Sequence, residues 1–276
     1  DSDIYDSSKN VWRTVLFGTL GLGEPGVFAL DVTDPDNVSF LWEKSASDMP
    51  GLGKNIGKPV IAQVANGDWR VLIGNGPGST GGTAQLVSIR IRDGQKSVVT
   101  TGVGTNNGLS AVLARDSDGD RFADVAYAGD LRGNLWKFSG LSGTPSVSKL
   151  FEARDRNNQL QPIMAAPLAG KDPATGAPWV FFGTGLYLDT LDLENMQVQS
   201  WYGIKDAGSV SGRSQLVERK ILDEAQIGSF IGRVIEKPVN GDMTNKKGWF
   251  IDLVSPINGV EGERMVVPNR FQGVAL

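Results

Sequence analysis

The chain has 276 residues, of which 40% are hydrophobic and 21% charged, as is typical of a globular protein. It contains neither Cys nor His, which excludes disulfides, thiol chemistry, Cys-ligated metals and a Ser-His-Asp triad of the usual form. The net charge of −4 indicates no basic surface for nucleic acid, and no apolar run is long enough to span a membrane. The start, DSDIYD, does not look like a signal peptide, so we expect any targeting segment to be upstream or removed.

Four short apolar segments along the chain each end in glycine. They are VLFG (Val15–Gly18), VLIG (Val71–Gly74), AYAG (Ala126–Gly129) and VFFG (Val180–Gly183). The glycines lie 56, 55 and 54 residues apart (74−18, 129−74 and 183−129). A second strand-like run follows each one: GVFALDV (Gly26–Val32), QLVSIRIRDG (Gln85–Gly94), GNLWKF (Gly133–Phe138) and SWYGIKD (Ser200–Asp206). The spacing therefore predicts a repeated unit built of strands.

A preceding strand and a turn complete this unit in three of its copies. Asn66-Gly67 is a strong hairpin signal before VLIG, and GKDPATGA (Gly170–Ala177) is a longer turn before VFFG. In the third copy the same place is taken by RDSDGDRFAD (Arg115–Asp124), which carries four aspartates. The acidic stretch is thus predicted to be a hairpin turn between two strands.

The last part of the chain fits the repeat less well. NKKGWFIDL (Asn245–Leu253) is predicted to be a strand of a weaker fifth unit. Gln215–Ile227 fits neither the helix period nor the strand period, and its surroundings favour a strand. The chain stops in the apolar run RFQGVAL, from which we expect a C-terminally truncated fragment of a larger protein.

A period near 55 residues with several strands in each unit predicts radially repeated sheets, as in a β-propeller. We interpret residues 1–276 as a single all-β propeller domain of a larger protein. The alternative is a β-sandwich whose turns happen to be regularly spaced. The seven Trp are mostly within the predicted strands, which favours packing in the core over sugar binding.

The acidic turn has the spacing of a cation site. Counting Asp116 as position 1, its acids fall at positions 1, 3, 5 and 9, namely Asp116, Asp118, Asp120 and Asp124. Phe122, at position 7, would offer its main-chain carbonyl. Hard oxygen ligands of this kind suit Ca²⁺, whereas Mg²⁺ prefers fewer carboxylates and more water. The alternative is a solvated acidic turn, because Asp and Gly are ordinary turn residues.

The turn departs from an EF-hand loop in three ways. Tyr127 stands at position 12 in place of the bidentate Glu, and the flanking segments are predicted strands. Gly119 is at position 4, while position 6, where the sharp turn usually has Gly, holds Arg121, which is expected to need a left-handed backbone. Another Gly-rich stretch, GNGPGSTGGT (Gly74–Thr83), lacks the ending of a phosphate loop and is interpreted as a link between strands.

Two stretches, WRTVLFGTLGLGEPGVFALDVTDP (Trp12–Pro35) and DSDGDRFADVAYAGDLRGNLWKF (Asp116–Phe138), closely resemble the C-terminal domain of the PilY/PilC family. These are type IV pilus biogenesis proteins and tip adhesins of Gram-negative bacteria. The resemblance implies a modified β-propeller with quinoprotein-like blades, exposed at the cell surface or pilus tip and associated with the outer membrane. It also implies Ca²⁺ ligands at Asp116, Asp118, Asp120, the Phe122 carbonyl and Asp124.

In that family, calcium occupancy is tied to pilus extension and retraction, and so to twitching motility and attachment. The partners implied are pilus components, such as minor pilins, and a host surface. The hypothesis is a calcium-binding, non-enzymatic domain. The alternatives are a quinone-dependent dehydrogenase, whose propeller also uses Ca²⁺, and a carbohydrate-binding propeller. With neither His nor a pair of carboxylates in an obvious catalytic role, an enzyme is disfavoured.

Overall fold

A computed structural model describes residues 1–270, and the end of the predicted apolar run, residues 271–276, lies outside them. The architecture is all-β, as the repeat predicts. The first sheet has the order β1-β2-β3-β4 and the second β5-β6-β7-β8, each an antiparallel meander. Their strands are β1 (Ser2–Asp6), β2 (Val11–Thr19), β3 (Gly26–Asp31), β4 (Ser39–Ser45), β5 (Val60–Ala65), β6 (Asp68–Gly74), β7 (Gln85–Arg90) and β8 (Lys96–Thr100).

The third sheet repeats this pattern, and the fourth extends it. The third consists of β9 (Leu109–Arg115), β10 (Val125–Asp130), β11 (Asn134–Ser139) and β12 (Ser146–Glu152). The fourth has the order β13-β14-β15-β19-β16. Its strands are β13 (Leu168–Lys171), β14 (Pro178–Gly183), β15 (Ser200–Lys205), β16 (Val217–Arg219) and β19 (Gly248–Asp252). The four glycine-ended segments therefore all lie in the second strand of a sheet.

The prediction of a fifth unit is wrong for Asn245–Leu253. The strand β19 pairs with β15 as part of the fourth sheet, with Tyr202 opposite Phe250. The segment between these strands holds β16, which runs parallel to β19, and a separate hairpin of β17 (Ile221–Ile227) and β18 (Phe230–Ile235). The residues between β15 and β19 are thus an insertion within the fourth unit, and β19 comes later in the sequence than the repeat predicts. The strand predicted from Gln215–Ile227 is confirmed by β16 and β17.

Helical structure in residues 1–270 amounts to two short 3-10 helices, Thr190–Glu194 and Arg213–Gln215. None of the helices described is long and apolar enough to cross a membrane. Contacts between Cα atoms divide the chain into two compact units: Asp1–Asp130 with Trp136–Ser148, and Leu131–Leu135 with the chain from Lys149 onwards. That residues 1–276 form a single domain stays a prediction.

The first unit has two apolar cores, one on each face of the second sheet. Alternate residues of a strand point to opposite faces. Val71 and Ile73 of β6 lie in the core shared with the first sheet, which includes Val15 and Trp42. Leu72 lies in the core shared with the third sheet. Each of these three residues is at most 1% exposed. Neighbouring sheets therefore bury each other face to face, as the blades of a propeller do.

The second unit has an aromatic core. The ring of Tyr202 on β15 lies 5.1 Å from those of Phe151 and Phe182, and 6.1 Å from that of Phe250. The Tyr202 hydroxyl donates to Oε1 of Gln161 at 2.6 Å. Burial raises the pKa of Tyr202 from 10.0 to about 12, because the phenolate would lose its hydration.

The recurring glycine has a packing reason at Gly74. A Cβ atom at this position would lie 2.0 Å from the carbonyl oxygen of Ser110, on β9 of the next sheet. The clash would be with a backbone oxygen, so no rearrangement of a neighbouring side chain can relieve it. The end of β6 therefore approaches β9 at a distance that only glycine permits.

Candidate metal centre

The acidic turn joins β9 to β10, as predicted from its place in the repeat. Arg115 pairs with Val125 at the base of the turn, and the Asp124 amide donates to the Arg115 carbonyl at 3.1 Å. The nine residues between are thus held at both ends by an antiparallel ladder. The flanking elements are strands, and Tyr127, at position 12 of the loop count, is buried within β10 at 2% exposure. Tyr127 is therefore part of the sheet core.

Three of the predicted ligands come together at this turn. Asp116, Asp118 and Asp120 each offer a carboxylate oxygen, and these atoms all lie within 4.8 Å of one another. Asp116 is half-buried, and the other two are exposed. Two oxygens on opposite sides of one Ca²⁺ lie up to about 5 Å apart, since each is roughly 2.3–2.6 Å from the ion. The three oxygens therefore fit a single coordination shell.

Backbone hydrogen bonds from within the loop set the shape of this cluster. The two carboxylate oxygens of Asp116 accept from the amides of Gly119 at 2.6 Å and Arg121 at 2.8 Å. Both hydrogen bonds lower the pKa of Asp116 below its ordinary value, and the one from Gly119 has the larger effect. Asp118 accepts from the Asp120 amide at 3.2 Å. The backbone of the loop is thus wound around its own aspartate carboxylates.

The backbone turns sharply at two residues of the loop. Gly119 has φ +94° and Arg121 has φ +78°. The left-handed backbone predicted at Arg121 is therefore confirmed, although most side chains avoid this region. A tightly wound loop needs these conformations to bring alternate side chains to one side. They explain why a loop with Gly at position 4 still gathers its aspartates.

The other two predicted ligands are placed differently. Asp124 lies outside the group of three, and its carboxylate accepts from the Ser117 amide at 2.7 Å and from the Ser117 hydroxyl. The Phe122 amide donates to Asp120 at 2.8 Å. The ligand roles of Asp124 and of the Phe122 carbonyl stay predictions. Ser117 is a partner that sequence reasoning missed, because spacing singles out charged residues and passes over a hydroxyl beside them.

The loop is also tied to its surroundings. The Ala123 amide donates to the carbonyl of Gln63, on β5 of the second sheet, at 2.8 Å. The Gly140 amide, just after β11, donates to the Asp124 carbonyl at 3.0 Å. Ala123 itself lies in the core between the second and third sheets. The conformation of the loop is therefore linked to two neighbouring elements of the same unit.

The Gly-rich stretch Gly74–Thr83 is a link between β6 and β7, as predicted. Sequence reasoning missed the role of Asn75 within it. This buried amide donates to the carbonyls of Gly51 at 2.9 Å and Thr83 at 2.8 Å, and accepts from the amides of Gln85 and Leu109, both at 2.9 Å. The Asn between two glycines at the end of a strand could have indicated this role from the sequence. The role is structural, because the side chain links four backbone groups of the surrounding loops and strands.

Comparisons with known proteins agree with this architecture. The family model of the PilY1 beta-propeller domain matches residues 2–155. A type IV pilus biogenesis factor PilY1 homolog of Xylella fastidiosa is 45% identical over the whole chain, and PilY1 of Pseudomonas aeruginosa is 34% identical over 92% of it. The chain spans only 22% and 26% of those two relatives.

A solved structure shares the fold as well. The crystal structure of the Pseudomonas aeruginosa PilY1 C-terminal domain aligns with 97% of this chain at 31% identity, with a TM-score of 0.84. The chain covers 63% of that domain. The fold, the family model and the curated relatives agree, and the chain belongs to the PilY1 family of type IV pilus biogenesis factors.

Proposed function

We propose that this chain is a calcium-binding, non-enzymatic propeller domain through which Ca²⁺ regulates a type IV pilus. The observation that carries the proposal is the group of three carboxylates, Asp116, Asp118 and Asp120, within 4.8 Å of one another. Asp124 and the Phe122 carbonyl would complete the ligand set. The relatives are named pilus biogenesis factors, which supports a role in the pilus system.

The chemistry of the loop favours a divalent cation. Ionised carboxylates at this separation repel one another, and the repulsion opposes the compact form of the loop. A Ca²⁺ ion would replace that repulsion with attraction to several oxygens at once. The Asp116 carboxylate is already fixed by the amides of Gly119 and Arg121, so part of the ordering cost is met before the ion binds.

The response to calcium would be a change in order near the loop. Its hydrogen bonds reach Gln63 on the second sheet and Gly140 after β11. A ligand shifts a conformational equilibrium only by its different affinities for the two states. Calcium must therefore favour the conformation that permits pilus extension, and its loss must favour retraction. Twitching motility and attachment would then follow calcium occupancy.

We place this domain at the cell surface or pilus tip of a Gram-negative bacterium, in association with the outer membrane. Its expected partners are minor pilins of the pilus and a host surface. The names of the relatives support a pilus-associated location.

Calorimetric titration with CaCl₂ tests the site. Asp116→Lys and Asp124→Ala are expected to abolish the binding heat while leaving the far-UV circular dichroism of the fold unchanged. Asp172→Lys is the matched control. Asp172 lies in the turn between β13 and β14, and its carboxylate also accepts a hydrogen bond from a backbone amide, that of Ala174, at 2.8 Å. That turn lacks the neighbouring carboxylates, so its variant should bind calcium normally. Unchanged affinity in Asp116→Lys and Asp124→Ala would disprove the ligand assignment.

The regulatory role is tested separately, in cells that carry Asp124→Ala in the full-length protein. Surface piliation and twitching are expected to fall, or to lose their dependence on external calcium, while the protein level stays constant. The Asp172→Lys control should behave as the wild type. Normal piliation and twitching in the Asp124→Ala strain would disprove calcium regulation, even where calorimetry supports the site.

A further inference from the structure

The hairpin of β17 and β18 is separate from the fourth sheet and has an apolar side that is open to solvent. Three of its residues, Ile227, Phe230 and Val234, are 64%, 75% and 55% exposed. Phe230 and Val234 alternate along β18, and Ile227 pairs with Phe230, so the three side chains share one face. We call this side the open face of the hairpin. Large apolar side chains at such exposure mark an interaction surface.

The opposite side of the hairpin is fixed to the second unit by ion pairs. Arg233 of β18 donates to Glu224 at 2.7 Å and to Glu263 at 2.6 Å. The Ser255 hydroxyl donates to the other carboxylate oxygen of Glu224 at 2.7 Å. These contacts hold the hairpin in one orientation, with the open face turned away from these partners.

The two strands of the hairpin form a sheet of their own, so each strand has a free edge. No other strand within residues 1–270 pairs with β17 or β18. An edge strand presents main-chain N–H and C=O groups that can pair with an added strand. Two strands alone are only marginally stable in water, and a third strand with an apolar face makes such a sheet more stable. Strand addition would therefore satisfy these groups and extend the open face.

The two edges are not equally suited to such pairing. The register of β17 skips Leu222, and the strand carries the adjacent acids Asp223 and Glu224. Both features are ones by which proteins protect an edge from strand addition. The sequence of β18 is FIGRVI, whose single charge, that of Arg233, is already paired. The edge of β18 is thus the one that can accept a strand.

The charges beside the edge of β18 select the chemistry of the partner. Arg233 is matched by two carboxylates, Glu224 and Glu263, so one net negative charge remains on this side of the hairpin. The side chain of Glu263 is 37% exposed, against 6% for that of Glu224. A basic residue of an added strand would be attracted to Glu263, and an acidic residue would be repelled.

We propose that the edge of β18 accepts an extended segment of a pilus subunit as a third strand. The segment has apolar residues at alternate positions, which extend the open face beside Phe230 and Val234, and a basic residue between them on the side of Glu263. In strand addition, main-chain hydrogen bonds give affinity and alternate side chains give specificity. The identification of the partner as a pilus subunit rests on the proposed function, whereas the accepting edge rests on the hairpin alone.

A synthetic peptide, Val-Thr-Val-Lys-Val-Thr, tests the edge in the full-length natural protein. Amide hydrogen exchange in β18 is expected to be fast without the peptide and slow with it, because the outward amides become paired. Val234→Lys puts a charge on the open face and should weaken binding of the labelled peptide at least about tenfold, as measured by fluorescence anisotropy. Val98→Lys is the matched control, since Val98 is a 47% exposed valine on the edge strand β8. This variant should bind the peptide as the wild type does.

The charge of the peptide tests the selection by Glu263. Glu in place of Lys in the peptide should weaken binding to the wild type, and Glu263→Gln should reduce the difference between the two peptides. These titrations are made in EDTA, and Asp116→Lys should bind the peptide as the wild type does. Failure of the calcium site would therefore leave this proposal standing, and failure of the edge would leave the calcium site standing.

Several results would overturn the proposal. Absence of peptide binding, or equal binding to Val234→Lys, would show that the edge of β18 does not accept a strand. Slow exchange in β18 before the peptide is added would assign the edge to another segment of the same protein, or to a second copy if the exchange becomes fast on dilution. Equally tight binding of the Glu peptide would contradict the selection by charge.

The source of the strand is tested in cells that carry Val234→Lys in the full-length protein. Surface piliation is expected to fall while the protein level and the calcium titration stay unchanged, and the Val98→Lys strain should have normal pili. Normal piliation in the Val234→Lys strain would exclude a pilus subunit as the partner.

Discussion

At the scale of single residues, the acidic loop depends on its backbone as much as on its charges. Gly119 and Arg121 both have positive φ, and both donate their amides to Asp116. These two residues account for one of the departures from an EF-hand loop, the placement of glycine. Their conformation shows that a different placement of glycine still allows a loop to gather alternate carboxylates.

Gly119→Ala is expected to destabilise the protein by about 1 kcal/mol, because φ +94° is strained for any residue with a Cβ. Steric contact does not contribute, since nothing lies within 4 Å of the position of the added Cβ. Gly143→Ala is the matched control, an exposed glycine without positive φ and with equal space around it. Urea unfolding in EDTA measures both. Equal stabilities would contradict the assignment of strain to the loop.

The buried tyrosine of the second unit predicts a loss of stability at alkaline pH. The pKa of Tyr202 rises from 10.0 to about 12 on folding, so the folded state holds the phenolic proton more tightly than the unfolded state does. Its contribution is complete below pH 10.0 and is lost as the pH rises to about 12. Tyr202→Phe should be less stable at pH 8, but its stability should fall less steeply above pH 10. Parallel curves of unfolding free energy against pH would contradict this.

At the scale of strands and sheets, the glycine at the end of β6 is required by a close approach to β9. Gly74→Ala should destabilise the protein by about 1–3 kcal/mol, the range typical of an overpacked core. The added methyl group would meet the Ser110 carbonyl at 2.0 Å, so one strand must move. Gly143→Ala is again the control, and thermal unfolding is the measurement. A stability equal to that of the control would show that β6 and β9 separate without cost.

At the scale of the whole molecule, the effect of calcium should be confined to one unit. The hydrogen bonds of the loop reach Gln63 and Gly140, which both belong to the first unit. In hydrogen exchange, Ca²⁺ is expected to slow amide exchange in residues 115–130, in residues 136–140 and in β5, because binding suppresses local opening there. Peptides from Lys149 onwards should exchange as before. Equal protection in both units, or protection that persists in Asp116→Lys, would contradict this prediction.

The sequence by itself determined the all-β class, the four repeated units and the position of the acidic turn. Periodic glycine and alternating apolar residues are local signals, so they can be read without knowing which distant segments pair. Local spacing also placed Asp116, Asp118 and Asp120 near one another, since alternate residues of a tight loop converge.

Only the tertiary structure decided where distant segments pair. It assigned Gly248–Asp252 to the fourth sheet, because strand pairing depends on partners such as Ser200–Lys205 that are remote in sequence. The hydrogen bond from Ser117 to Asp124 and the four hydrogen bonds of the buried Asn75 with backbone groups are also known only from the tertiary structure. Hydrogen bonds and apolar faces are satisfied by whichever groups the fold brings within reach, and chain order does not specify those groups.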